Sequence, residues 1–247
     1  MGLIKYSGLL TGIWGKLNGS VFTRNRSGSI IKNKSTPHNP QSGGQTRNRA
    51  SMTFLSRKWR ELTFTQRNNW NDLSELIVLH NYWGDSYSPS GFNLFCRLNQ
   101  NLFLISEPYI WDAPLQVDVP VLSDVFCNPV QVGVANMMFR FQDQVTDSDI
   151  IHIIYASPGI SAGKYYNKSN FKIIGSIPAG TANQFQAYSL FTNAYSIPRL
   201  NQKIFFKLRG ISKTTGFDSL SSHFNNLCQP LSIGIGYDTI GSTLVVY

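Results

Sequence analysis

Acidic side chains are missing from the first quarter of this 247-residue chain: no aspartate or glutamate precedes Glu61, whereas eleven lysines and arginines do. A basic, glycine-punctuated and polar segment of this kind cannot build a core of its own and gains order from a partner. Cysteine is scarce as well. Cys96, Cys127 and Cys228 are odd in number and far apart, with no CxxC or Cys/His spacing, which argues against both a disulfide framework and a zinc site and points to synthesis in a reducing compartment. No apolar run is long enough to span a bilayer. The apolar residues of Met1 to Leu17 are broken by four glycines, and no small-residue cleavage site follows, so neither a secretory signal nor a membrane partner is expected. A phosphate-cradling Walker loop, a GxGxxG turn and an HExxH helix are all absent, and His38, His80, His152 and His223 have no ligand spacing. No cofactor and no metal are expected.

What the chain does contain is unevenly placed. The net charge is +9, but residues 1–70 hold twelve cations and one acid, while residues 71–247 hold ten cations and twelve acids. A positive field confined to one end attracts phosphates or an acidic protein surface, and salt weakens either contact. Apolar residues make up 42%, enough for one large domain or two small ones with real cores. Charged residues make up only 14%, leaving the polar, weakly charged surface that suits β-rich assembly proteins.

Read in order, residues 1–41 form an extended basic arm, since Gly2, Gly8, Gly12, Gly15, Gly19 and Gly28 recur too often for a helix. Within it, Val21-Phe22 and Ile30-Ile31 flank a hairpin closed around Ser27-Gly28. Residues 42–107 form a helical region. Ser42-Gly43-Gly44-Gln45 and Thr63-Phe64-Thr65-Gln66 have capping-box spacing, and Met52, Leu55, Trp59 and Leu62 make one apolar stripe. Trp70, Leu73 and Ile77 share a face of the second helix. An aromatic turn-rich loop at 80–91 leads to Ser90, which caps a third helix lined by Phe92, Phe95, Leu98 and Leu102.

Pro108, Pro114 and Pro120 mark the passage to residues 108–230, where the period changes to two. Met137, Phe139 and Phe141 alternate with Met138 and Arg140, and Ile204, Phe206 and Leu208 with Lys203, Phe205, Lys207 and Arg209. Asp149 to Ala156, Phe171 to Ile177 and Gln184 to Leu190 read as further strands. Residues 231–247 are a glycine-punctuated tail that adds one more strand to this domain or to a neighbour. The fold class expected is α+β: an extended basic N-terminal arm, a small helical region, then an antiparallel β-sandwich.

Two resemblances follow. The segments Ile151 to Ser157, Phe171 to Gly175, Lys203 to Arg209 and Gly216-Phe217-Asp218-Ser219 resemble a fibronectin type III or immunoglobulin-like module, without the tryptophan that such modules bury. That likeness implies a domain that binds or spaces proteins. Residues 12–100 resemble a group of uncharacterised phage and bacterial proteins. The shared pattern is carried by Gly15-Lys16, Arg24-Asn25-x-x-Gly28, Asn39-Pro40 with Gln45, Trp59-Arg60-x-Leu62-Thr63, Gln66-Arg67-x-x-Trp70 and Gly91-Phe92-x-x-Phe95. It implies a bacteriophage setting and no particular chemistry.

Gly159-Ile160-Ser161-Ala162-Gly163, with Asp218 and His223 following, imitates a serine-hydrolase order, but that motif needs a strand–elbow–helix and here lies between strands. The expected function is therefore a non-enzymatic structural protein of the virion, made in the host cytoplasm, in capsid, decoration, connector or fibre base. It would assemble as a homo-oligomer or with other virion proteins through Arg24, Arg26, Lys32, Lys34, Arg47, Arg49, Arg57 and Lys58. The alternative is a sequence-independent nucleic-acid-binding protein that uses the same cations. A serine hydrolase is the remote third reading.

Overall fold

The computed structural model describes residues 2–35, 39–115, 118–122, 125–127, 137–141, 147–167, 170–182 and 184–228. It is a mixed α+β chain with several antiparallel sheets. Its contacts divide it into two units, residues 1–100 with 109–115 and residues 101–108 with 116–247.

In the first unit the expected extended arm is replaced by a four-stranded antiparallel sheet. Strands β1 (Gly2–Ile4), β2 (Gly15–Leu17), β3 (Ser20–Asn25) and β4 (Gly28–Asn33) lie in the order β1-β4-β3-β2. Two tight turns cause the difference. Asn18-Gly19 joins β2 to β3, with Asn18 at a φ of 47°, a conformation that asparagine tolerates better than most residues. Arg26-Ser27 joins β3 to β4. Asn25 Oδ1 accepts from the Ser27 amide at 3.0 Å, and Gly28 takes a φ of 121°. The expected Val21-Phe22 to Ile30-Ile31 hairpin is this second turn, with Phe22 opposite Ile31.

Helix α1 (Gly43–Glu61) starts where Ser42 Oγ accepts from the Gln45 amide, and α2 (Phe64–Leu76) starts at a full reciprocal capping box between Thr63 and Gln66. A two-stranded hairpin, β5 (Leu79–His80) with β6 (Ser86–Tyr87), precedes α3 (Gly91–Leu104). The core here is aromatic. Trp70 is fully buried, with its ring edge-on to Phe95 at 5.3 Å, while Trp59 meets Phe92 at 5.6 Å and Phe95 at 5.5 Å. Trp70 Nε1 donates to the Trp111 carbonyl at 2.8 Å, meeting the need of a buried indole for an acceptor. Gly91 allows this packing, because a Cβ there would collide with the backbone of Trp70 and Asn71. The motif residues Trp59, Leu62, Thr63, Gln66, Trp70, Gly91, Phe92 and Phe95 are thus the packing and capping positions of one small helical core.

The second unit is built from β7 (Val125–Cys127), β8 (Met138–Phe141), β9 (Ile150–Ala156), β10 (Ile160–Ser161), β11 (Lys172–Ile177), β12 (Gln184–Gln186), α4 (Tyr188–Ala194), β13 (Gln202–Ser212) and β14 (Ser222–Leu227). One sheet centres on β13, which pairs with β9, β10 and β14, with β11 beyond β9; the other has the order β12-β8-β7. Both sheets send apolar residues into one core, an arrangement compatible with a β-sandwich. Phe139 of one sheet packs edge-on to Phe206 at 5.1 Å and to Phe224 at 5.4 Å, both from the other. The stretch Gln184 to Leu190, expected as one strand, splits into β12 and the start of α4, which places Phe191 in the core. The expected tail strand at 231–247 lies outside the described residues.

One polar group sits awkwardly in this unit. His152 is 2% exposed, between Ile177 of β11 and Gly210 of β13, and its Nδ1 has no hydrogen-bond partner among the described residues. Burial pushes its pKa down to about 4, against the opposing pull of Asp147. The unfolded chain, with an ordinary histidine, binds the proton first. Stability is therefore complete above about pH 6.5 and falls as pH drops towards 4, by up to about 3 kcal/mol. Urea melts of the protein at pH 7.5, 6 and 4.5 should show this loss, and His152→Leu should reduce the slope across that window.

Candidate interaction surface

Register decides which side of the N-terminal sheet each residue takes, because directly paired residues share a face. Gly2, Ile4, Gly15, Leu17, Phe22, Arg24 and Ile31 fall on one face, and Leu3, Lys16, Val21, Ile30 and Lys32 on the other. The second face meets the β5–β6 hairpin at its β1–β4 side. Lys5 pairs with Asp85 at 3.0 Å, Asn81 Nδ2 donates to the Ser27 carbonyl at 2.9 Å, and Leu3, Ile30, Tyr82 and Trp83 line a shallow cavity. Away from that contact, Lys16 and Lys32 stand on either side of Val21, both exposed. Two strand spacings separate them by about 10 Å. Like charges at that distance cost only about 0.4 kcal/mol in water.

The structure disperses the expected cationic set. Arg24 and Lys32 lie on opposite faces of the sheet. Arg26 is tied down, its Nη1 donating to the Pro89 carbonyl at 2.8 Å. Lys34 follows β4, its amide bonded to Gly19. On α1, Arg49 and Arg57 are exposed away from the side that buries Leu55, with Arg47 on the flank. Arg49 also donates to Asn39 Oδ1 at 2.8 Å. Lys58 is engaged within its own unit: Glu61 lies at 2.8 Å, the Trp111 ring at 5.0 Å and the Phe54 ring at 5.6 Å. Its hydrogen bond to the Glu61 carboxylate raises its pKa. Among the described residues, Lys16, Arg24, Lys32, Lys34, Arg47 and Arg57 have no ion pair. Large apolar side chains stand among them on the β1–β2 connection and β2: Leu9 is 95% exposed, Leu17 66% and Trp14 65%. Apolar exposure beside uncompensated charge on one short segment makes this a candidate contact surface.

One feature of this surface escapes the sequence reading. Lys16 belongs with Lys32, which the β2–β3 and β3–β4 registers together reveal. The signal that would have found it is Asn18-Gly19 between two strand-like pairs, the strongest short hairpin signature.

The serine-hydrolase constellation does not assemble. β13 serves as a ruler: Ser161 pairs with Gln202, His223 with Lys207 and Asp218 with Ile211. At roughly 3.3 Å per residue, the histidine is about 16 Å and the aspartate about 30 Å along the strand from the serine. Asp218 is committed to Arg209 Nη2 at 2.9 Å, and Arg209 also donates to Asn101 Oδ1 at 3.1 Å. Burial pushes the thiols up, Cys96 and Cys228 to about 11 and Cys127 to about 12, which suppresses the nucleophilic thiolate. Among the described residues there is no cluster of three His, Cys, Asp or Glu fit to hold a metal, and no helix long and apolar enough to cross a membrane. Comparison with protein-family models, curated proteins and solved structures returned no match.

The β2–β3 turn is testable. Asn18→Val forces a β-branched residue into the left-handed region, at a cost of about 1–3 kcal/mol. Amide hydrogen exchange over residues 15–25 should accelerate, while Asn18→Gly should leave it nearly unchanged.

Proposed function

We propose that this protein is a non-catalytic structural component of a bacteriophage particle, joined to its neighbours through the basic N-terminal segment. The observation that carries the reading is the N-terminal sheet: short, with exposed Leu9, Trp14 and Leu17, and, among the described residues, with edges that pair with no further strand and cations that lack acid partners. A segment so equipped gains stability by covering its apolar side chains and by pairing its cations with carboxylates on a partner. The phage setting rests on the motif pattern of residues 12–100, which here forms the hairpin turn at Asn25 and the aromatic helical core. The second unit is read as a fibronectin III or immunoglobulin-like spacer. Two antiparallel sheets around a phenylalanine-rich core support that reading, while α4 departs from it. Nucleic-acid binding draws on the same cations, with Trp14 as a stacking platform.

Replacing Lys16, Arg24, Lys32 and Lys34 together by glutamine should reduce incorporation into particles at least tenfold, measured by quantitative mass spectrometry of purified virions. Unchanged incorporation rejects the reading. Retention of the free protein on DNA-cellulose at 50 mM salt, lost in the same variant, would transfer the surface to nucleic acid.

A further inference from the structure

The two edges of the N-terminal sheet fit each other. In the order β1-β4-β3-β2 every neighbour is antiparallel, so β1 and β2 run in opposite directions. A second copy laid beside the first without turning it over therefore brings its β1 antiparallel to β2. The three-residue strands then align Gly15 with Ile4, Lys16 with Leu3 and Leu17 with Gly2. Each glycine faces a bulky side chain, and space above Gly15 is open to 4 Å. The faces also agree, since Gly2, Ile4, Gly15 and Leu17 share one side. Leu17, two-thirds exposed in the single chain, becomes a diagonal neighbour of the incoming Ile4.

We propose that copies of this chain join head to tail through this β1-to-β2 edge pairing, which extends one antiparallel sheet from copy to copy. The proposal rests on the assembly reading above and adds to the acidic partner of its cations a separate contact, of the chain with a second copy of itself. The competing symmetric pairing of β2 with β2 sets Lys16 directly against Lys16, a destabilising like-charge pair. An edge lysine is a usual guard against self-pairing; here it guards β2 against its own kind and leaves it open to β1, which offers Leu3 at that place. Because donor and acceptor edges differ, the interface is heterologous and produces a ring or an open array rather than a closed dimer. The chain also predicts its own salt dependence. Neighbouring sheets are both cationic, so screening favours the pairing, whereas contact with an acidic protein or nucleic acid weakens as salt rises.

Sedimentation velocity of the purified full-length protein tests this between 50 and 500 mM sodium chloride. Species larger than dimers should appear and should increase several-fold with salt, and Lys16→Glu should strengthen them by lowering the repulsion. Lys16→Cys and Leu3→Cys proteins, mixed under mild oxidation, should cross-link to each other, while each alone should not. A monomer at every salt concentration overturns the proposal. So does self-cross-linking of either cysteine variant, which would report a symmetric dimer. None of these failures touches the virion-incorporation result, so the two readings fall separately.

Discussion

Like-charge repulsion is the constraint under which the first sixty residues fold. Eleven cations without one acid must be kept apart, and regular backbone does this through geometry. The sheet sends Arg24 and Lys32 to opposite faces and spaces Lys16 from Lys32 by two strand spacings. Helix α1 spreads Arg47, Arg49 and Arg57 around the sides that do not bury Leu55. At these separations each repulsive pair costs a few tenths of a kcal/mol, which backbone pairing and a modest apolar face offset. Only Lys5 and Lys58 find acids, at Asp85 and Glu61, among the described residues of that stretch. The leftover field is what the proposed contact with a partner draws on.

The motif pattern that suggested a phage setting has a physical meaning of its own. Asn25 and Gly28 make a turn; Thr63 and Gln66 close a helix start; Trp59, Trp70, Phe92 and Phe95 interlock; and Gly91 lets two helices approach to backbone contact. These are requirements of packing. They describe how one unit holds its shape.

Much of the fold was legible from the chain alone. Capping signals at Ser42, Thr63 and Ser90 start the helices where expected, and the alternation of Met137, Phe139 and Phe141 gives buried residues on one side of β8. Of the N-terminal sheet only the β3–β4 hairpin was legible; β1 and β2 were not, because they are three residues long and are held by turns and cross-strand pairing that periodicity does not register. Helix α4 was missed for a related reason: Tyr188 to Leu190 looks strand-like until the need to bury Phe191 bends the chain. Of the candidate surface, the sequence supplied the cations but not their partners. Nothing in residues 57–61 alone distinguishes Lys58, held by Glu61 and two aromatic rings, from Arg57 beside it, which has no ion pair among the described residues.

The central place of β13 bears on the order in which the second unit takes shape during synthesis. β9 leaves the ribosome with only β11 to pair with soon afterwards; its other neighbour, β13, ends at Ser212, more than fifty residues later. At roughly 5–20 residues per second the delay is about 3–11 seconds. Throughout it, the apolar edge of Ile150 to Ala156 is uncovered. In that interval the nascent chain carries an open apolar strand edge, the kind of surface that invites pairing with another chain.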